Sequence, residues 1–226
     1  LMFGHGRLVF VNRQHFILRV GAALFVGLSG GLGTGAVLAQ TAPTILVLGD
    51  SLSAEYGLKR GEGWVALLEK RLAQEKIAAR VVNASVSGET TLGGRSRLPA
   101  LLKQHQPTHV VIELGGNDAL RGLPLANTED NLRFMTEAAQ KAGAKVLLVG
   151  MQVPPNYGAD YTKRFGDLFA KVAQARKAAV VPFFLKGVAD GPNATAMFQP
   201  DRIHPRAEAH PAMLDNVWPE LRKLLR

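Results

Sequence analysis

"TILVLGDS", residues 44–51, decides how this chain folds. The first five residues are β-branched or aliphatic after Thr44, and the run stops abruptly at Gly49-Asp50-Ser51. A short apolar run that ends in a turn reads as a buried strand. Outward from it, "GWVALLEKRLAQEK", 63–76, changes the period: Val65, Leu68 and Leu72 fall on one helical face, while Glu69, Lys70 and Glu75 face water. "ARVVNASV", 79–86, is the next strand, followed by a turn-rich "SGETTLGG" and a helical "RSRLPALLKQH". "THVVIELGGND", 108–118, then repeats the opening pattern, an apolar run ending in glycines and polar side chains.

The alternation continues to the C-terminus. "TEDNLRFMTEAAQKAG" predicts a helix ended by Gly143, "AKVLLVG" a strand, "YTKRFGDLFAKVAQARKA" a helix, "AVVPFF" a last strand and "AEAHPAMLDNVWPELRKLLR" a terminal helical region. The two prolines of "MQVPPNYGADY" make that stretch a loop. Five strands separated by helices predict an α/β fold, with a five-stranded parallel sheet covered on both faces by right-handed crossovers. In such sheets ligands bind beyond the carboxyl ends of the strands, which puts 49–53, 85–90 and 115–118 on one rim.

The chain's 226 residues suit one substantial core. Residues 1–39 differ in composition: Arg7, Arg13 and Arg19 precede an apolar, glycine-rich stretch, and Asp50 is the first acidic residue of the whole chain. This is the pattern of a secretory signal cleaved between Ala39 and Gln40, leaving one domain over 40–226. Residues 20–38 are uncharged and just long enough for a retained anchor, but six of them are glycine, which disfavours a persistent apolar helix. The expectation is an exported protein with no stable membrane span after cleavage, at a periplasmic or secreted address. Losing the leader leaves +6 of the formal +9 charge. There is no cysteine, so thiolate chemistry and disulfides are excluded. No basic tract with interleaved aromatics points to nucleic acid, and neither a zinc-type His-Glu-x-x-His motif nor a phosphate loop occurs. Helices on both faces of the sheet require no partner, so a monomer is expected, and the missing metal and phosphate motifs leave no metal or cofactor expected.

The three segments of the predicted rim, and a fourth near the C-terminus, carry candidate chemistry. Ser51 follows a strand and precedes a helix-like segment, a position suited either to a capping serine or to a nucleophile. "QPDRIHP" places Asp201 three residues before His204, so that a tight loop can present the carboxylate to the imidazole. An acyl transfer also needs donors for the oxyanion: the Ser51 and Gly88 backbone N–H groups and the Asn117 side-chain amide are candidates on the same edge. Asp50 reads as a structural acceptor for turn amides, Asp118 as a brace for the Asn117 loop, and His210 as a cap or packing group of the terminal helix.

"LVLGDSLSAEYGL", "VVNASVSGETTLGG", "VVIELGGNDALRG" and "DRIHP" together resemble the blocks of the SGNH or GDSL hydrolase family, in particular its secreted bacterial thioesterase, lysophospholipase and arylesterase group. The similarity runs through residues 44–224 and includes "GMQVPPNYGADYTKRF", "VPFFLKGVA" and "MLDNVWP". The resemblance implies a flavodoxin-like three-layer sandwich and metal-independent hydrolysis of carboxylic esters or thioesters through an acyl-enzyme. It implies Ser51 as nucleophile, His204 as base and then acid, Asp201 as its orienting carboxylate, and Ser51, Gly88 and Asn117 as the oxyanion site. A nucleophile elbow of the other common hydrolase plan would need glycine where this chain has Ser53. Leu120, Leu123 and Leu125 of "ALRGLPLAN", with Tyr157 of "VPPNY", are expected to contact a linear acyl chain or else to pack neighbouring helices. The competing expectations are carbohydrate O-deacetylation by the same serine chemistry and an exported ligand-binding protein without turnover.

Overall fold

The computed structural model describes residues 42–226; the expected leader and its cleavage site lie outside them. Five strands, β1 (Thr44–Gly49), β2 (Arg80–Asn83), β3 (His109–Glu113), β4 (Lys145–Val149) and β5 (Ala179–Val181), pair in the order β2-β1-β3-β4-β5, every pair parallel. This is the flavodoxin-like order. Its direction of winding reverses between β1 and β3, where the connections leave on opposite sides and open a crevice.

Burial follows from the sheet being covered on both faces. Ile45, Leu46, Val47 and Leu48 on β1, like Val110, Val111 and Ile112 on β3, are all completely buried, so the central strands have no polar alternation. Helices α1 (Trp64–Gln74) and α6 (His210–Leu224) pack together on one face. Helices α2 (Thr91–His105), α4 (Leu125–Lys141) and α5 (Ala159–Arg176) line up on the other. The predicted stripe of Val65, Leu68 and Leu72 is the buried face of α1, extended by Trp64. Among the described residues, no helix is long and apolar enough to cross a membrane.

Two helices start earlier than their sequence signals suggest. Helix α2 begins inside the expected turn at Thr91, because the Thr90 hydroxyl accepts the Gly93 N–H at 3.3 Å and the Asp118 carboxylate takes the Thr91 N–H at 2.9 Å. A short helix α3 (Gly116–Leu120) follows β3, and α4 starts at Leu125, with Pro124 just before it, so the expected apolar loop 119–127 is mostly helical. Helix α1 has no side-chain cap of its own; its Trp64 N–H is taken at 3.0 Å by Nδ1 of His210, 146 residues away. His210 therefore caps a helix other than its own. The bond needs an unprotonated Nδ1, and burial holds the imidazole down to about 4.

Candidate active site

Ser51 lies in the turn directly after β1, at the reversal point of the sheet. The turn is tight: Ser53 and Ala54 N–H both donate to the Asp50 carbonyl, and Leu52 N–H donates to Asp50 Oδ1 at 3.0 Å. Ser53 turns inward, accepts the Trp64 indole N–H at 3.0 Å and donates to Glu113 Oε2 at 2.7 Å. A Cβ at position 49 would stand 2.7 Å from Ser53 Oγ and 2.9 Å from Glu113 Oε2, so only glycine lets the strand end against this buried pair. Ser53, where another hydrolase plan has glycine, thus anchors the turn from below.

His204 is brought to Ser51 by the loop before α6. The loop is pinned by the Phe198–Pro205 bridge, by the Gln199 N–H on the His204 carbonyl at 2.8 Å, and by an Asx turn in which Asp201 Oδ1 accepts the Ile203 and His204 N–H groups at 3.0 Å each. His204 Nδ1 is 2.7 Å from Asp201 Oδ2, and His204 Nε2 is 2.9 Å from Ser51 Oγ. With Nδ1–H donating to the carboxylate, Nε2 is left as an acceptor for the serine hydroxyl. The His204 and Ile203 N–H groups and the imidazole hold the Asp201 carboxyl down at about 2, so it is ionised whenever the imidazole needs a charge partner.

On the other side of Ser51, the candidate oxyanion donors differ in state. The Ser51 and Gly88 N–H groups donate to no acceptor among the described residues, and Gly88 adopts a positive φ of 77° that few other residues take. Arg121 Nη2 holds the Gly88 carbonyl at 2.8 Å. The Asn117 amide, by contrast, already donates at 3.0 Å to both Asp50 Oδ2 and the Glu89 carbonyl. Asp118 braces the start of α2, through Thr91, and also accepts from Thr128 of α4.

Burial pushes Asp50 up to about 6, against the opposing pull of the Leu52 N–H, His204 and Asn117. Burial, reinforced by the nearby Asp50 charge, holds Glu113 well above the ordinary carboxylate range. Sequence reading passed over Glu113, Trp64 and Tyr56. Glu113 was hidden as one polar residue at the end of an apolar strand. Tyr56 packs its ring on His204, with centroids 4.3 Å apart.

The four expected acyl contacts do not converge. Leu123 lines a surface cavity of about 250 Å³ with Leu92, Arg95 and Asn131, whereas Leu125 lines a separate one with Arg164, Leu168 and Lys171. Leu120 is exposed at the end of α3, and Tyr157 is a surface ring stacked toward Tyr161. The early start of α4 causes the split, because successive leucines on a helix and its entry turn face different directions. Among the described residues, no cluster of three or more histidine and carboxylate side chains is arranged to hold a metal ion.

A turn-borne serine, an adjacent imidazole and carboxylate, and two unengaged N–H groups at a parallel-sheet edge define a serine hydrolase of the α/β class. Comparison with known proteins agrees. The GDSL-like lipase/acylhydrolase family matches residues 47–212, and the chain belongs to that family. It is 54% identical over 184 residues to the esterase TesA of Pseudomonas aeruginosa, covering 81% of this chain and 90% of that protein. It is 42% identical over 187 residues to thioesterase 1/protease 1/lysophospholipase L1 of Escherichia coli, covering 83% of this chain and 87% of that protein. A crystal structure of TesA superposes with a TM-score of 0.77 at 54% identity, covering 80% of this chain and 99% of the other. The chain is thus an ester-hydrolysing serine enzyme of this family.

Proposed function

We propose that this enzyme cleaves carboxylic esters or thioesters with a linear acyl chain through an acyl-enzyme on Ser51. His204 Nε2 takes the Ser51 proton as Oγ bonds to the carbonyl carbon, and the carbonyl electron pair moves onto oxygen. The Ser51 and Gly88 N–H groups receive that oxyanion, and Asn117 joins by exchanging its bond to the neutral Glu89 carbonyl for the stronger charged acceptor. Protonated His204, balanced by ionised Asp201, then gives its proton to the departing oxygen or sulfur as the carbon–leaving-group bond breaks. Water then bonds to the acyl carbon as it loses a proton to the same imidazole, and the imidazolium returns that proton to Oγ as the acyl–Oγ bond breaks, releasing the acid and free Ser51.

The observation that carries this reading is the continuous hydrogen-bonded series Asp201–His204–Ser51, at 2.7 and 2.9 Å, ending beside two unengaged N–H groups. Leu120 supports the acyl assignment as an exposed apolar side chain next to Arg121, which grips the Gly88 turn. Within this reading Leu123, Leu125 and Tyr157 are more distant acyl contacts or packing groups. The enzyme acts as a monomer on small acyl substrates after export to the periplasm or medium, a placement motivated by the composition of residues 1–39. Hydrolysis rates across esters from acetyl to long-chain acyl, with Ser51→Ala as control, test it: turnover that depends on Ser51 and favours acyl chains longer than acetyl is expected. Full turnover in the purified, folded Ser51→Ala protein overturns the nucleophile assignment. Strict preference for acetylated sugars replaces the linear-acyl reading with O-deacetylation.

A further inference from the structure

Tyr56 is a large aromatic side chain that the hydrolytic steps above do not use, yet the fold fixes it at the mouth of the site. Its residue remains 49% exposed, although its ring packs against His204 with centroids 4.3 Å apart and a 36° tilt between the planes. The backbone that carries it is held from three sides. Tyr56 N–H donates to the Ser51 carbonyl at 3.3 Å. Gln199 Nε2 donates to the Tyr56 carbonyl at 2.9 Å and to the Pro205 carbonyl at 3.1 Å, tying the tyrosine loop to the histidine loop. Glu55, in the left-handed region at φ 59°, folds its carboxylate onto the Gly61 and Gly63 N–H groups at 3.0 and 2.9 Å and closes the segment 55–63 on itself. A side chain at position 57 would collide with Gln199, its Cβ falling 2.1 Å from Oε1, so glycine there is what admits the clasp.

The reaction geometry says what such a ring would meet. The carbonyl oxygen of the substrate is drawn toward the Ser51 and Gly88 N–H groups, and the leaving group must take its proton from His204 Nε2. The departing group therefore leaves on the histidine side of Ser51, the side on which the half-exposed Tyr56 packs against the imidazole. We propose that Tyr56 is a specificity-determining residue whose ring forms the leaving-group surface and favours planar aromatic alcohols over aliphatic ones. This rests on the Ser51–His204 chemistry proposed above.

The test compares kcat/KM for 2-naphthyl butyrate and ethyl butyrate in the wild type, Tyr56→Phe, Tyr56→Leu and Ser51→Ala, with folding of each checked by thermal melting. The shared acyl group gives both esters the same acyl-enzyme, so their kcat/KM ratio reports the leaving-group side. Tyr56→Leu is expected to lower the naphthyl-to-ethyl ratio by about three- to tenfold, the size of one aromatic contact, and Tyr56→Phe to preserve it. Equal losses with both esters, together with a shifted pH profile, would reduce Tyr56 to a support for His204 and overturn the proposal, as would an unchanged ratio. Loss of all turnover in Ser51→Ala keeps the underlying chemistry in place whichever way Tyr56 behaves, whereas retained turnover there removes that chemistry and the proposal with it.

Discussion

Asp50 precedes Ser51 in the serine turn and Asp201 is bonded to His204, and their surroundings push identical carboxyl groups in opposite directions. Asp201 sits on a partly exposed loop, accepts two backbone N–H groups and the imidazole, and is held at about 2. Asp50 is 2% exposed beneath the serine turn and is driven up to about 6 by that burial, with Glu113 raised beside it. Water and donors keep the first group charged; the lack of water makes charge costly for the second. In the proposed mechanism the exposed side of the site supplies the charge that supports His204. The buried side supplies a rigid floor, linking Trp64, Ser53, Glu113 and Asp50.

This contrast is open to direct attack. The largest effect is expected for Asp201→Asn, which removes the charge facing the imidazolium and unsettles its tautomer: kcat should fall on the order of a thousandfold, far out of proportion to the stability that the ionised carboxylate contributes on its partly exposed loop. Steady-state kinetics beside a urea melt separate the two readouts, and a variant that is unstable but catalytically normal would reverse the roles of the two sides.

Glu113→Ala should do the opposite, leaving Ser53 without its acceptor in a buried space and costing about 2–3 kcal/mol of unfolding free energy. Denaturant melts measure this, and a loss below about 0.5 kcal/mol would mean that the floor contributes no rigidity.

The pH dependence of stability sharpens the comparison further. Asp50 has a folded pKa above its ordinary 3.8, so the folded protein binds the extra proton between there and about 6; its contribution is present at low pH and fades as pH rises through that window. Asp201, lowered to about 2, contributes fully above its ordinary 3.8 and loses that stability as pH falls toward 2. His210, lowered from 6.5 to about 4, adds stability as pH rises between those values and partly masks Asp50. Melting temperatures of wild type and Asp50→Asn from pH 3.5 to 6.5 cancel the His210 part: the wild type should lose ground to the variant as pH rises. Parallel curves would contradict the raised Asp50.

The smallest effect is expected for Glu113→Gln. Its carboxamide oxygen still accepts the Ser53 hydroxyl and its volume is unchanged, so stability near neutrality should stay within about 1 kcal/mol of wild type. A loss as large as that of Glu113→Ala would show that the ionised carboxylate, not its shape and acceptor oxygen, holds the floor.

The sequence alone determined the sheet, because strands buried on both faces write themselves as unbroken apolar runs and their helices as stripes at a different period. It also placed Asp201 beside His204, since three residues of chain are enough to join them, and the order of the blocks sufficed to bring Ser51, Gly88 and Asn117 to one edge. Tertiary structure decided what depends on contacts between distant segments: Ser53 against Glu113, His210 capping α1, Tyr56 over His204, and the prior engagement of the Asn117 amide. It also separated Leu123 from Leu125, because the turn through Pro124, rather than hydrophobic pattern, sets where α4 begins. Periodicity reports which residues avoid water along an element. It carries no record of which polar atom, folded in from elsewhere in the chain, meets them there.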